Sequence, residues 1–231
     1  MKPELRPLLK RLPLTREERG GMILHTGSVE GTDLVATMTG IGTALATKVT
    51  EQLLDTVDVD HVIVVGIAGG VGPDAAIGDL VLPEVVILGE TGSEHRPVTL
   101  GGHEPHGKIV TGDELLIAPE VVEQLERDGV VALDMETASV AVVCERRGVP
   151  WSVFRSISDS SLDDLVDDEI AGMATPEGSA NAAAVLRYVF RRPWRIPRLM
   201  KLGRDMQTAA NAAARAAVQA CKEWAEPTTS P

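Results

Sequence analysis

A chain of 231 residues, 44% hydrophobic and 24% charged, has the makeup of one globular domain, which excludes wholesale disorder. A net charge of −12 sets the surface against a phosphate backbone, so nucleic acid is not an expected partner. No apolar run approaches the roughly 18 residues of a membrane span, and the opening Met1-Lys-Pro-Glu-Leu-Arg has no secretory core. The expected location is therefore the cytoplasm, where Cys144 and Cys221 are expected to remain reduced thiols.

In chain order, residues 22–26 and 34–38 predict short strands around a reversal at 29–32, where Gly31 permits a tight turn. Residues 43–57 carry Leu45, Val49, Leu53, Leu54 and Val57 at helical spacing, after Gly40 and Gly42. The run His61-Val-Ile-Val-Val65 predicts a strand buried on both faces, closed by a glycine turn, Gly66-Ile-Ala-Gly-Gly-Val-Gly72. Residues 79–88 are strand-rich, and residues 90–107 read as a long loop containing His95, His103 and His106.

Then follow a strand at 108–111, a helix at 113–127, a strand at 130–134, a helix at 135–147 and a strand at 151–156. From about 162 to 226 the pattern is helical, with breaks at Pro176, Pro193 and Pro197, and the tail 227–231 is expected to fray. Alternating strands and helices without repeat or linker predict one α/β domain over 1–231. Its mixed, largely parallel sheet is covered by helices on both faces.

Ligands of such sheets bind where strand ends converge. Three predicted ends carry polar or glycine-rich residues: Gly66–Gly72 in the form above, Asp134-Met-Glu-Thr-Ala138, and Arg155-Ser-Ile-Ser-Asp159. The glycine run matches neither the dinucleotide fingerprint nor the P-loop spacing. With Gly40-Ile-Gly42, Gly78-Asp-Leu-Val81 and Thr111-Gly-Asp113, these ends stand in the order and spacing of a known family. The chain resembles the nucleoside phosphorylase/nucleosidase superfamily, in particular its 5′-methylthioadenosine/S-adenosylhomocysteine nucleosidases, over about residues 1–160.

The resemblance implies cleavage of the N-glycosidic bond of an adenine nucleoside, in a homodimer, with no metal or organic cofactor. Asp159 would protonate the base at N7, a role that burial would assist by raising its pKa; its other reading is a helix N-cap. Glu136 would accept hydrogen bonds from the ribose hydroxyls; its other reading is an acid beside a helix dipole. Met135 would pack on the sugar, or simply in the core. Glu4, three residues after Met1, would orient the attacking water, and Arg155 would help hold it. Ile41, Ala68, Gly69, Leu115, Leu116 and Ser158 complete the implied substrate-binding set.

The chain also departs from that pattern. It opens where the family's first strand ends, so a sheet short of its first strand, or a start upstream of Met1, is expected. Ile67 stands where the nucleosidases usually carry a serine, and Leu115 where they carry a base-stacking aromatic. An isoleucine cannot hydrogen-bond phosphate through its side chain, which favours hydrolysis over phosphorolysis.

The stretch 187–204 holds Arg187, Arg191, Arg192, Arg195, Arg198, Lys201 and Arg204 with no acid, interleaved with Trp194, Ile196, Leu199 and Met200. It reads either as a solvated or subunit-contacting helix pair or as a membrane-surface patch. This tail is similar to the ends of hopanoid-associated nucleoside phosphorylases, which keeps a lipid-linked adenosyl substrate open. Asp163, Asp164, Asp167, Asp168 and Glu169 read as a solvated lid. A non-catalytic nucleoside-binding protein is the third reading.

Overall fold

The computed structural model describes residues 2–113, 118–160 and 196–225. The expected helical segment from 162 to 195, the acidic run 163–169, the breaks at Pro176 and Pro193, the tail from 227, and Leu115 and Leu116 lie outside them. The chain opens with α1 (Lys2–Leu9) and a meander of β1 (Thr15–Arg19), β2 (Met22–Val29) and β3 (Thr32–Ala36). Glu30 and Gly31, with φ of 49° and 86°, turn β2 into β3 through the twist a two-residue hairpin prefers. Next come α2 (Thr43–Thr56), β4 (Val62–Gly70), β5 (Leu80–Val81), β6 (Val85–Leu88), β7 (Ser93–His95) and β8 (Lys108–Thr111). The remaining elements are α3 (Pro119–Arg127), β9 (Val130–Asp134), α4 (Thr137–Arg147), β10 (Trp151–Ser160) and α5 (Ile196–Ala225).

Strands β4 to β10 form one seven-stranded sheet in the order β5-β10-β4-β9-β8-β6-β7. Neighbours β10–β4, β6–β8 and β8–β9 run parallel, whereas β10–β5, β4–β9 and β6–β7 run antiparallel. The sheet is mixed as expected: its longer pairings are parallel, and the antiparallel ones are the edge strands β5 and β7 and the short contact of β4 with β9. On one face α2 and α4 cover Trp151, Val153 and Ile157; on the other, α5 covers Phe154. Ala209, Ala210, Ala213, Ala214, Ala217 and Val218 recur at helical period on the buried side of α5, and their small side chains let the helix lie close to β4 and β10.

Several boundaries differ from expectation. Residues 66–70 are strand rather than turn, since β10 pairs with β4 from Val62 through Gly70 and supplies their backbone partners. β10 correspondingly runs to Ser160, with a register shift between Ile157 and Asp159. Pro83 separates β5 from β6, and β7 lies inside the predicted loop. Met135 and Glu136 precede α4 rather than opening it, and Asp113 is a bend residue instead of the start of a helix. Pro197 sits in the first turn of α5, where a missing N–H costs nothing, and α5 continues unbroken to Ala225.

Beside β4, β9 pairs only at Gly69 and Gly70. Along Val62–Ala68 that edge has no described strand partner, and α1 approaches it instead.

Candidate active site

Side chains alternate along β10, so Arg155 points to the same face as Val153 and Ile157, into the apolar layer beneath α4. A guanidinium that is 3% exposed there needs a buried anion. Asp134, the last residue of β9 and 8% exposed, supplies it through Oδ2 at 2.5 Å from Nη2. Asp134 is itself saturated with donors. Its Oδ1 accepts from the Thr111 hydroxyl at 2.5 Å, and its Oδ2 accepts from the Thr137 hydroxyl and from the Thr137 amide at 3.1 Å.

Two further carboxylates meet the same guanidinium. Glu136 accepts from Arg155 Nη2 at 3.1 Å, and from the Gly42 amide at 3.2 Å. Although Glu136 stands at the N-cap position of α4, its side chain makes no capping bond there; it turns away from its own helix towards Arg155 and Gly42. Glu4, from α1, accepts from the Ile67 amide at 3.0 Å and lies 3.8 Å from Arg155 Nη1. The Ile67 carbonyl in turn accepts from Arg155 Nη1 at 3.3 Å. Gly66 is required at this crossing, because a Cβ there would stand 2.2 Å from Arg155 Nη1 and 2.5 Å from Glu4 Oε1.

Burial pushes the Glu136 carboxyl above the usual glutamate value, against the pull of Arg155 and the Gly42 amide; Asp134 and Glu4 add to the push. For Arg155, burial opposes the charge, but Asp134, Glu136 and Glu4 outweigh it and hold its pKa above the ordinary arginine value. The guanidinium is permanently charged, and the carboxylates around it outnumber it.

Asp159 lies at the far end of β10, beside Gly69 of β4. It is a strand residue. The register shift that leaves Ser158 unpaired changes the alternation just before it, a device that commonly re-aims a side chain at a site. Ser158, buried, donates to Asp159 Oδ1 at 2.5 Å and lies 3.4 Å from the Ala68 carbonyl. A Cβ on Gly69 would stand 3.6 Å from Asp159 Oδ2, an ordinary contact, which places the carboxylate directly over β4. Ala68 is buried, and Ile41 and Met135 are half-buried in the segments before α2 and α4.

The structure thus brings together Glu4, Glu136 and Arg155, and sets Asp159, Ser158, Ala68 and Gly69 along the same two strands. Sequence reasoning assigned no role to Asp134, Thr111, Thr137, Thr43 or Asp113. The last two form a latch: Asp113 Oδ1 accepts from the Thr43 amide at 2.8 Å and Oδ2 from its hydroxyl at 2.7 Å, capping α2 from a distance. Gly42, at φ 95°, has no side chain of its own to do so. An arginine at an inward position of a buried strand is the one signal that pointed to a hidden acid such as Asp134. The open cleft of about 630 Å³ between α5 and Gly78–Leu80 is lined by none of these residues.

The model of the phosphorylase superfamily matches residues 1–105 and 95–191, and the chain belongs to that superfamily. Within it the relatives are nucleosidases. The chain is 30% identical over 207 residues to an aminodeoxyfutalosine nucleosidase of Helicobacter pylori, covering 77% of this chain and 87% of the relative. It is 29% identical over 206 residues to a 5′-methylthioadenosine/S-adenosylhomocysteine nucleosidase of Tolumonas auensis, covering 73% and 87%. In fold it matches the Neisseria meningitidis 5′-methylthioadenosine/S-adenosylhomocysteine nucleosidase in complex with methylthio-immucillin-A, at a TM-score of 0.72 and 20% identity over 96% of each chain. It also matches the futalosine hydrolase of Helicobacter pylori, at a TM-score of 0.69 and 21% identity over 97% of this chain and 94% of that one.

Proposed function

We propose that this chain is a purine nucleosidase that hydrolyses the N-glycosidic bond of a 5′-substituted adenine nucleoside and releases adenine. The observation that carries the reading is the convergence of two carboxylates, Glu4 and Glu136, on the buried Arg155, with Asp159 further along the same strand. Departure of the base leaves positive charge on the ribosyl group and needs a proton on the purine. Glu136 accepts the ribose hydroxyls and offsets the developing charge. Glu4, fixed by the Ile67 amide, orients the attacking water with Arg155. Asp159 delivers the proton to N7. Met135, Ile41, Leu115 and Leu116 wall the nucleoside, and Ala68, Gly69 and Ser158 bring backbone and hydroxyl groups to its edge.

In this reading residues 1–231 form one domain, and the enzyme acts in the cytoplasm, in salvage of methionine-derived nucleosides, as a homodimer whose partner closes the site. Light scattering in solution tests the dimer, and a monomer at working concentration would count against it. The 5′ substituent differs among the relatives' names, so the decisive assay offers several. Purified protein is incubated with 5′-methylthioadenosine, S-adenosylhomocysteine and adenosine, and adenine is followed by chromatography. Release is expected, and Asp159→Asn is expected to slow it by about 10²–10⁴-fold, the usual contribution of a positioned general acid. No release from any substrate, or equal rates in the variant, would overturn the assignment.

A second reading, of the same chemistry on a lipid-linked adenosyl substrate, has support at α5. Its first turns expose Met200 at 62%, beside the exposed Lys201 and Arg204. They lie in the described part, residues 196–204, of the basic stretch 187–204, which on this second reading would serve as the lipid-facing tail.

A further inference from the structure

We propose that Thr137 is a positioning residue, whose hydroxyl locks the Arg155 guanidinium in the orientation that serves Glu4 and Glu136 together; this rests on the nucleosidase reading above. Arg155 has a fork of donors, and its rotation about Nε decides which carboxylates the fork can reach. Nη2 serves Asp134 and Glu136, and Nη1 serves the Ile67 carbonyl and faces Glu4. These contacts hold the outer edge of the fork. The stem is held by one group only among the described residues: Nε–H donates to Thr137 Oγ1 at 3.0 Å.

The Thr137 hydroxyl has one hydrogen, and Asp134 Oδ2 takes it. Its lone pairs are therefore directed at Arg155, with no alternative rotor position that satisfies both partners. Thr137 is wholly buried, so no solvent competes for either bond. Its own amide also binds Asp134 Oδ2. Backbone and side chain of one residue thus tie the start of α4 to the end of β9, and hand that rigidity to the arginine of β10. Asp134 balances the charge of Arg155, while Thr137 sets its angle. Thr137 itself touches neither Glu4 nor Glu136 by any recorded hydrogen bond and acts through Arg155.

Thr137→Val keeps the shape and removes the hydroxyl. Arg155 then loses the bond at its stem, and its hold on Glu136 and Glu4 loosens. Misplacement of a supporting group on the ångström scale costs up to about 10²-fold in rate, so kcat is expected to fall by about 10–10²-fold. Glu136 keeps its bond from the Gly42 amide, and the apolar walls of the nucleoside are untouched, so KM is expected to rise by less than kcat falls. With less help from the guanidinium, Glu136 protonates more readily, and the acid limb of the rate profile moves to higher pH. Thr137→Ser, which keeps the hydroxyl, is expected to return most of the rate and the original limb.

A readout independent of turnover accompanies the kinetics. The Nε–H of Arg155 gives a side-chain nitrogen–proton resonance, assigned by its loss in Arg155→Lys. It is expected to exchange slowly with water in the wild type and in Thr137→Ser, and faster in Thr137→Val. If Thr137→Val fails to give a folded circular dichroism spectrum, Thr137→Cys, a near-isostere with a weak donor, is read in its place. A folded variant with unchanged exchange, or with unchanged kcat and acid limb, would overturn the proposal. So would an equal loss in Thr137→Ser. A wild type inactive on every nucleoside, yet with the protected resonance behaving as described, would support the locking of Arg155 and overturn only the assigned reaction.

Discussion

One guanidinium shared by three carboxylates is an arrangement whose members differ in what they do for stability. Asp134 and Arg155 neutralise each other in the core, and removing either leaves an uncompensated buried charge. Glu136 is different, because its folded-state pKa is raised by burial despite the pull of Arg155. A carboxyl with a raised folded pKa binds its proton more tightly folded than unfolded. Its contribution to stability is therefore present at acid pH and lost as pH rises from the ordinary glutamate range through the raised value. Glu136→Gln is expected to melt higher than the wild type at pH 8 and to show no such gain near pH 4. Its kcat is expected to drop by about 10²–10³-fold, the range for removing one preorganised charge-stabilising group. Thermal melts at the two pH values, with initial rates beside them, check both halves; a variant less stable than wild type at pH 8 would mean that the carboxylate is a net stabiliser. Of these residues, Glu4, Glu136 and Arg155 were singled out in the sequence through the family resemblance, and the structure brings them together. Asp134 and Thr137 were not singled out, although they stand in the same motif, because sequence spacing does not say which member of a cluster faces another strand.

At the scale of the element, α5 changes character along its length. From Ala209 onward its inward face is alanine and fits against β4 and β10, whereas the first turns carry exposed Pro197, Met200, Lys201, Gly203 and Arg204. Lys201 pairs with Asp205 at 2.8 Å, an i,i+4 bridge of the kind worth a few tenths of a kcal/mol. If this end of the helix meets lipid, the full chain is expected to co-sediment with vesicles containing anionic phospholipid but not with neutral ones. Each basic residue near such a surface contributes about 1 kcal/mol, so Lys201→Glu with Arg204→Glu is expected to lower vesicle affinity by at least tenfold. Binding indifferent to lipid charge, or to these changes, would leave the basic stretch a solvated helix end.

A strong period or a β-branched run placed α2, α4, β8 and β9 close to their observed bounds, and β4 as far as Val65. β1, Thr-Arg-Glu-Glu-Arg, has no apolar alternation to read and is a strand only because β2 pairs with it, residue for residue. The glycines of β4 mimic a turn in composition, and only the long partner β10, together with the crowding at Gly66, makes them strand.

For the whole molecule, the choice between water and phosphate as nucleophile turns on charge and on unspent donors. A phosphate dianion would approach a chain of net charge −12, and then a site in which Asp134, Glu136 and Glu4 surround a single arginine. Even with Glu136 protonated, that cluster would carry excess negative charge. Among the described residues, the guanidinium that meets these carboxylates is already engaged, with Nε on Thr137, Nη2 on Asp134 and Glu136, and Nη1 on the Ile67 carbonyl. The Ile67 amide, which could have offered a further donor to an anion, is taken by Glu4. Isoleucine at this position adds no hydroxyl, as its place in the sequence already implied. Water, being neutral and small, meets no such electrostatic penalty and needs only one acceptor, the part that the proposed mechanism gives to Glu4. Adenine release is therefore expected to proceed at the same rate with and without phosphate at constant ionic strength, with the free sugar as co-product. Phosphorus NMR of the reaction mixture checks it. A sugar 1-phosphate appearing in step with adenine would show that Arg155 releases its carboxylates to bind phosphate, and that the closed network of the free protein opens during the reaction.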